Sequence, residues 1–242
     1  DDRTCDIVFT GNYNPPSIFH EAIHRHGDEY AEFYYDIIHD LIHHPWKSMD
    51  ATIIEHLNRD VEDIDEKGLK ETMPNMIFID LYVRHYVRGE VVKTLVDHGF
   101  RVYCFGAGWD QLDCHHPENI VNGNVLDSLG CLQQISRSRL SLNVMPWFKD
   151  GAHDRVFNTM LNGAVCLSDS SRYMDEILED GRHFVRYDLA KLEELPEKAE
   201  QILSDREKWE YIVEQGSRMA NRGHTWANRA RFLHSEILCK IL

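Results

Sequence analysis

Apolar residues fall along this chain in two habits. Short saturated runs, each ended by a glycine or a polar pair, read as buried strands. Longer stretches with apolar residues three or four apart read as helices. The saturated runs cover 5–11, 100–105, 120–121, 140–145, 164–167 and 183–185. Helical spacing covers 76–99, where Ile77, Leu81, Val83, Val87, Val91 and Leu95 belong to a broad apolar face that Gly99 ends. Further helices are predicted over 125–137, 156–161, 173–178, 189–204, 206–222 and 226–242, with Asp205 and Thr225 placed to cap the last two. The gap after the first run differs. Pro16 suits a helix start. Phe33, Ile37, Ile38, Leu41 and Ile42 then keep helical spacing up to Pro45-Trp46, and Ile53, Ile54 and Leu57 resume it. The acidic stretch 61–65 reads as a solvated turn. So long a gap is no ordinary loop, and an all-helical insertion is predicted over 15–75.

Strand and helix thus alternate six times, which predicts an α/β, Rossmann-like, doubly wound parallel sheet in one domain spanning 1–242. Ligands of such sheets bind beyond the carboxyl ends of the strands. Here those ends are Gly11, Gly106, Asn122-Gly123, Met145-Pro146 and Ser168-Asp169.

Composition narrows the partners. The chain has 242 residues, 43% of them hydrophobic, and a formal charge of −15. No basic stripe interrupts that charge, so nucleic acid and anionic membrane are excluded as expected partners. A phosphorylated ligand stays open if one pocket is locally positive. No apolar run approaches the roughly 20 residues of a membrane span, and no signal-peptide pattern opens the chain. The abrupt start Asp1-Asp2-Arg3 suggests a piece of a longer protein. Of the six cysteines none forms a C-x-x-C pair. No zinc or other metal site is expected. Cys5, Cys104 and Cys166 read as small buried apolar residues, in a reducing, cytoplasmic setting.

The chemistry-bearing residues concentrate between 140 and 167. A strand ends at Met145-Pro146, a polar loop follows, and His153-Asp154-Arg155 stands where a helix begins. A helix N-terminus favours anions through its free N–H groups and dipole. Three readings are open. Arg155 and His153 can hold a phosphate; Asp154 can cap the helix while Arg155 pairs with a surface carboxylate; or Asp154 can orient His153 as a catalytic dyad. Gly11-Asn12-Tyr13 is a second strand-to-helix turn fit for a phosphate. Gly106-x-Gly108 follows a strand, but Gln111 stands where a third glycine is required, and no acidic residue ends the next strand. A nicotinamide or flavin cofactor is therefore not expected. Trp109 can stack on a base or sugar, or close the core. The pairs His43-His44 and His115-His116 read as surface or core histidines. Neither a Walker A nor a G-x-S-x-G sequence is present.

Taken together these residues resemble a known family. The stretch from Ile120 to Leu238 is similar to the C-terminal, nucleotide-sugar-binding half of a GT-B glycosyltransferase, of the CgeB-like group that includes spore maturation protein and related bacterial transferases. The resemblance rests on Ser141 to Pro146, His153 to Asn158 and Asn162-Gly163-Ala164. Glu179 to Arg182, His224 to Arg229, Gly11-Asn12-Tyr13 and Phe78 to Arg84 agree with it.

The resemblance implies a transferase that moves a hexose-like sugar from a nucleoside diphosphate, UDP favoured, to a saccharide, protein or other glycan carrier. It implies no cofactor beyond that donor. It places Gly11 and Asn12 near the diphosphate, and Tyr13, Gly106, Gly108, Trp109, Met145 and Pro146 are expected around the donor. Asn122, Gly123 and Asn124 would border the base. His153, Asp154 and Arg155 would face the sugar diphosphate as the catalytic set. Asn158 stands where many members carry a ribose-binding glutamate, and it brings no charge. The transfer is expected to be metal-independent, since no D-x-D-type cluster lies in a plausible loop and cations can stabilise the leaving diphosphate. The N-terminal, acceptor-holding domain is expected to be missing and this fragment alone inactive. The alternatives are a non-catalytic nucleotide-sugar-binding or scaffold domain, and a helical interaction module at 17–69.

Overall fold

A computed structural model of the chain describes residues 3–60, 65–146 and 148–238. Most of the solvated turn expected at 61–65 and the end of the last expected helix lie outside those residues, as does Cys239.

Six strands form one parallel sheet: β1 (Cys5–Thr10), β2 (Val102–Phe105), β3 (Ile120–Gly123), β4 (Ser138–Asn143), β5 (Val165–Ser168) and β6 (Val185–Arg186). Their order across the sheet is β3-β2-β1-β4-β5-β6, the doubly wound Rossmann-like order. Ile7 sits in register with Val102 on one side and Leu140 on the other. Both faces of the sheet are covered, which is why the central strands read as unbroken apolar runs. Period-two alternation then divides the core. Ile7, Phe9, Leu140, Leu142, Val165 and Leu167 share one cluster, while Val8 and Cys166 join clusters on the opposite side.

Between β1 and β2 run α1 (His20–Ile23), α2 (Asp28–His43), α3 (Met49–Asp60), α4 (Glu66–Thr72) and α5 (Ile77–Asp97). Helix α5 buries Ile79, Val83, Val91, Val92 and Leu95 and ends where Phe100 N–H donates to the Leu95 carbonyl at 3.1 Å. Gly99 supplies the φ of +89° that this C-terminal turn needs. Helix α2 lies against α5 and α3 through Tyr34, Ile37, Ile38 and Leu41.

After the sheet's centre follow α6 (Ser128–Ser136), α7 (Asp154–Leu161), α8 (Arg172–Ile177), α9 (Leu195–Ser204), α10 (Arg206–Gly223) and α11 (Trp226–Leu233). The expected caps are present: Asp205 accepts from Lys208 N–H at 3.0 Å and Thr225 from Asn228 N–H at 3.2 Å. Several boundaries differ from expectation. Helix α6 starts at Ser128 rather than 125, because Asp127 leaves the helix to cap it and accepts from Gly130 N–H at 2.7 Å. Strand β4 runs from Ser138 to Asn143, so Val144 and Met145 belong to the loop. Helix α11 gives way at His234 to a π-helical turn through Leu238.

Candidate functional site

The strand order reverses between β1 and β4, because β1 leads outward to β2 and β4 leads outward to β5. The connections diverge there and leave a crevice beyond the two carboxyl ends. Thr10-Gly11-Asn12 ends one strand and Asn143 to Pro146 ends the other. Arg155, in the first turn of α7, spans the gap. Its Nε donates to Thr10 Oγ1 at 3.2 Å, its Nη2 to the Thr10 carbonyl at 2.6 Å, and its Nη1 to Asn143 Oδ1 at 2.8 Å. The guanidinium lies 5.1 Å from the centre of the Phe9 ring. At 8% exposure Arg155 is buried with its donors taken up by Thr10 and Asn143, so it does not pair with a surface carboxylate, which corrects that sequence reading of it. Among the described residues no carboxylate pairs with it. It staples β1 to β4 and leaves a buried positive charge at the switch point.

Helix α7 starts two residues earlier than expected because His153, not Asp154, is its N-cap. His153 Nδ1 accepts from Arg155 N–H at 3.1 Å. Asp154 Oδ1 also lies 2.7 Å from that nitrogen, but one ring nitrogen cannot accept from the helix and donate to a carboxylate at once. The cap is the contact we assign, since Asp154 is 72% exposed and can turn to solvent whereas the helical N–H is fixed. Nε2 then carries the ring proton, and Asp154 does not orient the ring as a dyad would. Burial, and next the Arg155 charge, press the His153 pKa down to about 4, so the ring is neutral at pH 7.

The loops after β1 and β2 pack on each other rather than on open space. Gly11 N–H donates to the Phe105 carbonyl and Tyr13 N–H to the Ala107 carbonyl, both at 2.9 Å. Asn12 Oδ1 accepts from Ala107 N–H at 2.9 Å. A Cβ on Gly106 would lie 2.3 Å from the Gly11 carbonyl oxygen, and one on Gly108 would lie 2.0 Å from that of Tyr13. These glycines therefore admit a neighbouring loop, not a phosphate. Trp109 is 1% exposed, donates to the Gly11 carbonyl at 2.8 Å and stacks on Tyr13 at 5.2 Å. It closes the core, which corrects its expected place, and that of the buried Tyr13, as ligand-facing aromatics.

Opposite this packed wall lies a cleft of about 450 Å³, its open mouth included, lined by Arg84, Arg88, Val144, Met145, Pro146, Phe148 and His153. Neither Arg84, noted only within the Phe78-to-Arg84 run, nor Arg88 was expected at the site, because α5 was weighed for its apolar face. The available signal was the Asp80, Arg84, Arg88 stripe at four-residue spacing. Asp80 accepts from Arg84 at 2.7 Å. Arg88 Nη1 donates to the Asn12 carbonyl at 3.1 Å, while its buried Nε has no partner. Burial, and then the Arg155 and Arg84 charges, together lower the Arg88 pKa to about 10. Burial and the same helix's two arginines hold His85 at about 4, where it accepts from Asn14 N–H at 3.1 Å. Three guanidiniums thus gather beside His153, and among the described residues Asp80 is the one carboxylate that pairs with any of them.

Asp169, one residue beyond β5, also escaped assignment. Its Oδ1 accepts from Met145 N–H at 2.9 Å and its Oδ2 is buried without a partner. Burial pushes its pKa up to about 7. The remaining expected residues spread out. Asn122, Gly123 and Asn124 stand at the end of the edge strand β3, two strands from β1. Gly123 packs its Cα against the Phe105 ring. Asn158 is half-buried on α7 and donates to Asp154 Oδ2 at 3.2 Å.

Residues 88–235 match the family model described as glycosyl transferase-like. That range holds Arg88, Asn143, Met145, His153, Arg155 and Asp169, while Gly11, Asn12 and Arg84 precede it. Among solved structures, the crystal structure of TarM is similar with a TM-score of 0.46 at 11% identity. The likeness covers 64% of this chain and spans 32% of that one. No curated protein matches. Among the described residues no helix is long and apolar enough to cross a membrane.

Proposed function

This chain belongs to the glycosyl transferase-like family, and from that premise we propose that it binds the nucleoside diphosphate of a sugar donor in the cleft between Arg84, Arg88 and His153. The single observation that carries the reading is this local excess of positive charge. A chain of net charge −15 gathers it at the switch point of its sheet, where ligands of doubly wound folds bind. Arg84 and Arg88 are the groups that would touch phosphate oxygens, and Arg155 adds charge from behind without touching them. His153 lines the same cleft with Nε2–H available as a neutral donor, and the N-terminus of α7 adds its dipole.

In glycosyl transfer the bond between the anomeric carbon and the diphosphate oxygen breaks, and the diphosphate keeps the electron pair. Fixed cations aimed at that oxygen stabilise the charge as it develops. This supports a transfer in which arginines do the work assigned elsewhere to a metal; UDP is the nucleotide that the resemblance in sequence favours. An acceptor hydroxyl attacks the anomeric carbon and passes its proton to a base; we assign no residue to that role. Asn158, neutral and already bonded to Asp154, favours the second reading, a donor-binding domain without turnover.

Calorimetry with UDP, GDP and dTDP tests the proposal. At least one is expected to bind, and Arg84→Ala or Arg88→Ala to weaken it about tenfold each. If none binds, the donor reading is wrong. Binding without hydrolysis or transfer by the full-length protein selects the second reading.

A further inference from the structure

Helix α5 does more than wall the cationic cleft. One of its faces holds the segment after β1 residue by residue. His85 meets Asn14, Arg88 meets Asn12, and Gly89 faces Tyr13. Positions three and four apart share a helix face, so the three contacts form one strip. A Cβ on Gly89 would lie 2.9 Å from a carbon of the Tyr13 ring, so the missing side chain admits that ring.

His85 spends both ring nitrogens on this strip. It is 6% exposed. Its Nδ1 accepts from Asn14 N–H, so the ring proton sits on Nε2. Nε2 lies 3.3 Å from the terminal amide of Asn14. A ring N–H cannot donate to an amide nitrogen, so we assign the amide oxygen to that place. Asn14 is then held by main chain and side chain at once. Phe19 stacks on the ring at 5.9 Å and Tyr13 meets it edge-on at 6.3 Å, which fixes the plane of the imidazole. Burial, then the charges of Arg88 and Arg84, keeps the ring neutral, the form in which Nδ1 accepts.

Arg88 depends on where that segment stands. Among the described residues its one hydrogen-bond partner is the Asn12 carbonyl, and its Nε is buried without any. The other anchors of the segment, Tyr13 N–H to the Ala107 carbonyl and Ala107 N–H to Asn12 Oδ1, tie it to the loop after β2 and not to α5. A cation stabilises a developing charge only if it is already aimed when the charge appears. We propose that His85 is a positioning residue for the cationic cleft: by clamping Asn14 it sets the Asn12 carbonyl, and through it aims Arg88 at the diphosphate. The proposal rests on the donor reading above. His85 lies outside the lining of the cleft and acts through Arg88, not on the ligand.

Three variants test this. His85→Leu keeps an apolar side chain between Phe19 and Tyr13 but removes both bonds to Asn14. His85→Asn puts a carbonyl oxygen where Nδ1 stands and restores the main-chain bond. Asn14→Ala removes only the side-chain half of the clamp. Calorimetry with UDP, GDP and dTDP reads affinity, and NMR reads solvent exchange of the Arg88 Nε–H, which is buried in the intact protein. His85→Leu is expected to weaken the diphosphate that binds by about fivefold to tenfold and to expose the Arg88 Nε–H to exchange. His85→Asn is expected to recover most of both. Asn14→Ala should lose about twofold to threefold, and it carries the test if His85→Leu does not fold. Wild-type affinity in folded His85→Leu, or in Asn14→Ala where the former does not fold, overturns the proposal while the donor reading stands. So does weakened binding with the Arg88 Nε–H still protected, or an equal loss in His85→Asn. Absence of all diphosphate binding by the unaltered protein overturns the donor reading and the proposal with it.

Discussion

Replacing Asp169 by Asn should make the protein's stability less dependent on pH, by an amount the structure sets. In the unfolded chain Asp169 gives up its proton near the ordinary value of 3.8, whereas burial holds the folded carboxyl protonated up to about pH 7. Between those values the folded state binds more protons than the unfolded one, so this group's contribution falls as pH rises. The loss begins near pH 4 and is complete above pH 7. At about 1.4 kcal/mol per pKa unit, ionised Asp169 costs the fold about 4 kcal/mol, of which about 2–3 kcal/mol accrues between about pH 5 and pH 8. The amide of the Asp169→Asn variant has no proton to lose and can still accept from Met145 N–H. Urea unfolding of both proteins at about pH 5 and pH 8 is the assay. The stability difference should shift in the variant's favour by about 2–3 kcal/mol on going to the higher pH. Groups that titrate alike in both proteins cancel, as does any fixed cost of the amide. A difference that stays constant across the range would refute the placing of Asp169 as a buried, unpaired carboxyl.

Other outcomes follow from the same contacts. Arg155→Met should cost about 3–5 kcal/mol in urea unfolding, because it strands Thr10 and Asn143 without their donor; a loss under about 1 kcal/mol would show that the staple is not holding the strands. Gly106→Ala forces a methyl to within 2.3 Å of the Gly11 carbonyl oxygen and should lower the melting midpoint by the equivalent of about 2–4 kcal/mol. An unchanged midpoint would contradict the loop contact. In NMR titration the His153 ring should show no inflection above about pH 5, because burial and Arg155 keep its pKa near 4; an inflection near the ordinary 6.5 would place it in a wetter, less cationic setting.

Much of the architecture was legible from pattern alone. Strand and helix alternation predicted a doubly wound sheet, and Gly99, Asp205 and Thr225 marked ends that the backbone confirms. The first turn of α7 was legible as a place rather than as a set of roles. His153-Asp154-Arg155 drew attention by charge, yet a local reading could not tell which of the three caps the helix and which is buried. Arg155 is spent on Thr10, 145 positions away in the chain, and no local spacing encodes such a partner. Arg84 and Arg88 were hidden for a related reason. A polar stripe on an amphipathic helix ordinarily faces solvent, and only the packing of α5 beside the ends of β1 and β4 turns this one into the wall of a cleft.

The sequence by itself determined what depends on near neighbours: strand periodicity, the order of helices, and the glycine and caps that end or begin them. Tertiary structure alone decided what depends on burial. It made Trp109 a core residue instead of a stacking platform and glycines 106 and 108 clearances for a backbone instead of a phosphate cradle. It also left one oxygen of Asp169 unpaired. Charge and hydrogen-bonding capacity are written in the residue, but whether water or protein satisfies them is settled only when distant strands close over them.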